Sequence, residues 1–106
     1  MDIREIKIKV LAFRKEIILS GIYPDLFVLF GSYYKGNYRT DSDIDLAIIS
    51  RDLGKDRFKE STLLNYIASK EDSRFEIIPV GLSEYLDPLP ISPIIAEIKA
   101  NGTPLF

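Results

Sequence analysis

The sequence contains no histidine and no cysteine. Without cysteine there are no disulfides and no thiolate metal sites, which fits a reducing compartment. Without histidine, the zinc-hydrolase motifs, the His-based triads and the His general bases are all excluded together. Any chemistry at a site must therefore use carboxylates, hydroxyls, lysines and bound hard cations. Long apolar runs are missing too: none approaches the roughly 18 residues that span a bilayer. The opening MDIREIKIKV alternates charge with isoleucine and has no signal-peptide pattern. A cytoplasmic protein with no membrane partner is the expectation. No repeat, low-complexity tract or Gly/Ser linker divides the chain, so residues 1–106 are expected to form one domain.

What is present supports a small folded core. Of 106 residues, 46% are hydrophobic and 28% charged, as in ordinary globular domains. The net charge is -2. Residues 1–40 carry seven Lys/Arg against four Asp/Glu, and the remainder seven against twelve. That bias is too mild for a general nucleic-acid binder, which needs a strongly basic face.

Periodicity orders the elements. Ile3, Ile6, Val10, Phe13 and Ile17 predict a helix from Asp2 to about Ser20, with Asp2 and Glu5 as a capping box and Gly21 as the stop. The apolar runs Leu26–Phe30 and Ile44–Ile49 predict buried strands. Between them a short helical turn from Ser32 and a loop are expected. A helix over Asp56 to about Ser69 uses Phe58, Leu63, Tyr66 and Ile67, and Arg74–Val80 is a third strand that Pro79 places at or near a sheet edge. Ser92 and Pro93 start a last helix with Ile91, Ile94, Ile95 and Ile98 as its stripe and Gly102 as its stop. The order implies an α/β (α+β) fold, a small sheet with helices packed on it.

Two features carry chemistry. In TDSDIDLAII, strand alternation puts Asp43 and Asp45 on one face and Ile44, Leu46 and Ile48 on the other. Two like charges side by side repel unless a cation lies between them, and an all-oxygen donor set suits Mg2+. A calcium loop would use Asp41, Asp43 and Asp45 as its first ligands, but Leu46 replaces the required Gly and Asp52 the bidentate Glu. A solvated Asp/Ser turn is the remaining bland alternative. Gly31-Ser32 ends the first strand, where Gly lets backbone approach a phosphate and Ser32 adds a hydroxyl donor. Gly31 and Gly36 have P-loop spacing, yet Asn37 and Tyr38 occupy the Lys and Ser/Thr places.

Ten residues separate Ser32 from Asp43, giving Gly-Ser, ten residues, Asp-x-Asp. The segment resembles the signature of the polymerase-β-like nucleotidyltransferase superfamily. It is most similar to the minimal nucleotidyltransferases, whose form GSxARGxxxxxSDIDL is matched by Gly31, Ser32, Gly36, Ser42, Asp43, Ile44, Asp45 and Leu46. Lys35 stands where that form has Arg, keeping charge but not planar bidentate geometry.

The resemblance implies a mixed sheet of the polymerase-β-like type and a third carboxylate on a later strand, matched by Glu76. It further implies that Asp43, Asp45 and Glu76 are catalytic and hold Mg2+, and that Gly31, Ser32, Lys35 and Ser42 bind the nucleotide, with ATP as substrate. Lys35 or Arg39 would neutralise the triphosphate, while Tyr33, Tyr34 and Tyr38 stack on a base or pack the loop. Minimal nucleotidyltransferases commonly pair with a HEPN-domain toxin and, as antitoxins, transfer AMP to its tyrosine. A HEPN partner is accordingly expected. A catalytically weak module acting by contact, and a homodimer modifying small molecules, are the alternatives.

Overall fold

The computed structural model describes residues 2–31, 43–89 and 92–106. Helix α1 runs Ile3–Leu19. Its N-cap Asp2 accepts a hydrogen bond from the Glu5 amide at 3.0 Å, satisfying one of the free N–H groups of the first turn. Gly21, at φ 98°, takes the left-handed conformation after the last turn. Strand β1 is Leu26–Phe30 and β2 is Ile44–Ser50. Helix α2, Arg57–Ser69, is capped by Asp56, whose side chain accepts from the Lys59 amide. Strand β3, Phe75–Gly81, leads into a short helix α3, Leu82–Leu86. Helix α4, Pro93–Asn101, starts from Ser92 as expected, and β4 is Thr103–Pro104. Neither α3 nor β4 is marked in the sequence by a periodic run. The expected turn from Ser32 and the position of Ile91 lie outside the described residues.

The sheet order is β3-β2-β1-β4. Strand β1 is antiparallel to both β2 and β4, and β2 is parallel to β3 with α2 as the crossover. The mixed sheet confirms the expected fold class. Alternation along the strands divides the core. Phe27, Leu29, Ile44, Leu46, Ile48, Phe75 and Ile77 face α1 and α2, and Phe13 meets Phe75 edge-on at 5.1 Å between centroids. Val28, Phe30, Ala47, Ile49 and Val80 face the other way, against Ile95 and Ile98 of α4.

Strand β3 is an edge, and its outward backbone is managed without a neighbouring strand. The Asn65 amide accepts from Ile77 N at 2.8 Å and donates to Ile77 O at 3.1 Å. Pro79 points the same way two residues on and has no N–H to satisfy, which is why proline is tolerated there.

Three expectations are corrected. On α1 the buried residues are Ile6, Val10, Phe13 and Ile17, while Ile3, in the first turn, is 46% exposed. On α2 the buried residues are Leu64, Ile67 and Ala68, and Phe58, Leu63 and Tyr66 face outward. A helix with apolar residues on two sides leaves the inner face for packing to decide. On α4 the buried pair is Ile95 and Ile98, with Ile94 exposed.

Candidate active site

Strand register assembles what sequence spacing only suggested. Asp45 lies opposite Phe30 on one side and opposite Glu76 on the other. Directly opposed residues in neighbouring strands share a face, so Asp45 and Glu76 project together, and Asp43 joins them two residues earlier. Their neighbours prove the face: Ile44, Leu46, Phe75 and Ile77 are all in the opposite core. Asp43 and Glu76 are exposed and Asp45 is half-buried, at the end of the sheet remote from α3.

Gly31 closes the site from the β1 side. Its φ is 73°, a conformation that strains any other L-residue. A Cβ there would lie 3.1 Å from Asp45 Cγ and nearer still to Oδ2. Glycine is thus required twice over, for its backbone angle and for the close approach of the carboxylate.

The electrostatics follow. The Asp45 carboxyl is pushed up to about 6, first by burial, then by the charges of Glu76 and Asp43, and by a hydrogen bond with Glu76 that favours its protonated form. None of the three carboxylates takes an ion pair from a described Lys or Arg. A cluster in this condition suits a cation. Among the described residues no three Asp, Glu, His or Cys side chains are gathered closely enough to hold a metal ion unaided. A hard cation seated here would complete its shell from water or phosphate, which is the usual mode of Mg2+.

The expected ligands Ser32, Lys35 and Ser42, like Tyr33, Tyr34, Tyr38 and Arg39, lie outside the described residues. Arg74, at the start of the strand that carries Glu76, directs its guanidinium to Asp72, with Nε to Oδ1 at 3.0 Å. Asp72 also takes Lys9 of α1 at 2.8 Å, and its carboxyl is held well below the usual carboxylate range, chiefly by Arg74. This three-residue knot anchors α1 to the turn that aims β3, and hence Glu76. The sequence signals only its Asp-x-Arg half, since Lys9 is remote in the chain.

The sequence profile of the family described as "Polymerase beta, Nucleotidyltransferase" matches residues 15–106. The chain belongs to this family. The matched region includes β1, β2 and β3, so the carboxylate cluster and Gly31 are parts of a nucleotidyltransferase domain. No curated protein sequence matches the chain.

Two solved structures resemble this nucleotidyltransferase. One, a toxin–antitoxin with AMP-PNP, is 26% identical with a TM-score of 0.55, over 94% of this chain and 72% of that one. The other, a mutant of the toxin–antitoxin MntA–HpeT, is 23% identical with a TM-score of 0.56 and the same coverages, a likeness of fold. The motif's resemblance to minimal nucleotidyltransferases thus agrees with both the profile and the fold.

Proposed function

We propose that this nucleotidyltransferase moves AMP from ATP to a hydroxyl group of a HEPN toxin, as the antitoxin of that pair in the cytoplasm. The observation that carries the reading is the junction of Asp43, Asp45 and Glu76 on adjacent strands beside a left-handed Gly31. Its support for the partner class is the toxin–antitoxin with AMP-PNP that the chain resembles.

In the proposed reaction the acceptor oxygen attacks the α-phosphorus, a new P–O bond forms, the α–β anhydride breaks, and pyrophosphate leaves. Positioning and charge neutralisation dominate such chemistry. Asp43 and Asp45 would hold Mg2+, which supplies neutralisation of phosphate charge when bound. Glu76, exposed and next to Asp45, takes the acceptor's proton. Gly31, with no side chain, leaves room for the triphosphate against the end of β1.

Calorimetric titration with ATP and Mg2+ tests the site. Wild type binds, and Asp43→Asn/Asp45→Asn loses the binding; equal affinity in both rejects the assignment. Mass spectrometry of a co-expressed HEPN partner tests the acceptor, with added AMP expected. Protection of cells by the double variant as full as by wild type would mean that contact alone neutralises the toxin.

A further inference from the structure

Helix α2 buries one face and presents a second apolar face outward. Phe58, Thr62 and Tyr66 follow one another at four-residue steps, with Leu63 beside them. Phe58 is 83% exposed and Tyr66 63%. The Thr62 hydroxyl donates to Phe58 O at 2.9 Å, which turns its polar atom into the helix. The result is a shallow groove of about 360 Å³ lined by Phe58, Lys59, Thr62, Leu63 and Tyr66. Rows of this kind, a small residue between two large ones, receive the ridge of another helix. Contiguous exposed apolar surface marks interaction sites.

Charge around the groove selects its occupant. Lys55 and Lys59 have no ion-pair partner among the described residues. Lys70 lies 4.8 Å from the centre of the Tyr66 ring and makes only a long, exposed contact with Glu16, at 3.4 Å. The acid nearest in sequence, Glu60, is turned away and accepts from the amides of Gly54, Lys55 and Asp56. The groove therefore has a cationic rim. Two copies of α2 packed antiparallel about Thr62 would bring Lys70 of one beside Lys55 of the other, a like-charge arrangement that opposes self-association. A helix with acidic flanks meets the same rim favourably.

We propose that the outer face of α2 is a docking surface for an amphipathic helix of a partner protein, with an apolar stripe flanked by Asp or Glu. The helix in groove is a recurrent mode of recognition. Because α2 covers the face of the sheet opposite the carboxylates, a partner held there leaves Asp43, Asp45 and Glu76 open to nucleotide and acceptor. Only the identification of that partner with the toxin rests on the function proposed above.

Two synthetic helical peptides with one leucine stripe, flanked in one by Glu and in the other by Lys, are titrated into the intact chain. Sedimentation velocity is run on the same samples. The Glu peptide binds more tightly than the Lys peptide, and Phe58→Ser/Tyr66→Ser weakens it by about tenfold or more, as loss of aromatic anchors does. The double variant keeps the far-UV circular dichroism and the cooperative thermal melt of wild type, which shows that it is folded whether or not the chain binds ATP. No binding, no preference for Glu, or affinity unchanged in the variant overturns the proposal. Self-association of wild type that the variant abolishes also overturns it, by assigning the groove to a second copy.

Discussion

Asp45 is a residue on which burial and two neighbouring carboxylates act in the same direction. A carboxyl raised in the folded state binds its proton more tightly there than in the unfolded chain. Its contribution to stability is full below the ordinary value of 3.8 and is lost as pH rises through about 6. Without metal or nucleotide, Asp45→Asn should therefore melt a few degrees above wild type at pH 8, where about 1 kcal/mol moves a domain of this size by roughly 4–8 °C. At pH 4 the difference should largely vanish, because wild-type Asp45 is then mostly protonated. Thermal melts at both pH values decide this. The same substitution should abolish ATP binding, so the site is held at a cost in stability. Gly31→Ala combines left-handed strain with collision against Asp45. It should lose about 1–3 kcal/mol in urea denaturation and weaken ATP binding in the same samples. Asp43 and Asp45 were legible as a pair from alternation alone, and Gly31 from its place after an apolar run. That Gly31 touches Asp45 was not, since their contact depends on the antiparallel register of β1 and β2.

At the scale of elements, Asn65 is the means by which α2 closes the edge of β3. Its two hydrogen bonds to Ile77 replace those of a missing strand. Asn65→Ala leaves both backbone groups unpaired and should cost about 1–3 kcal/mol by chemical denaturation. It should also promote concentration-dependent association in light scattering, because an open edge is a template for pairing. The two long helices and three long strands were readable within one or two residues, because each has a cap, a stop or a continuous apolar run. The inner face of α2 was misread in part for a physical reason: Phe58, Leu63 and the ring of Tyr66 offer apolar surface as Leu64 does, and only the packed sheet shows that it covers Leu64, Ile67 and Ala68. The short α3 and β4 had no periodic signal to read.

For the whole molecule, opposing titrations should give the nucleotide-free protein a stability optimum on the acid side of neutrality. Asp72, held by Arg74 and Lys9, and Glu60, held by three amides, both have lowered values. Their contributions are complete above the ordinary values of 3.8 and 4.5 and are lost below them. Asp45 acts in reverse as pH rises through about 6. Denaturation across pH 2 to 9 should thus show a maximum between about 4 and 6. Asp72→Asn should flatten the acid limb and Asp45→Asn the neutral one. By itself the sequence determined the chemistry available, carboxylates with neither histidine nor cysteine, and the chain of elements, because caps and apolar periods act over a few residues. It also determined that Asp43 and Asp45 share a face, since alternation is a local property of a strand. Only the tertiary structure decided that Glu76 stands opposite Asp45 and Gly31 against its carboxylate, because register between strands is set by contacts far apart in the chain. It alone decided that α2 keeps a second apolar face outside, because one sheet can cover only one side of a helix.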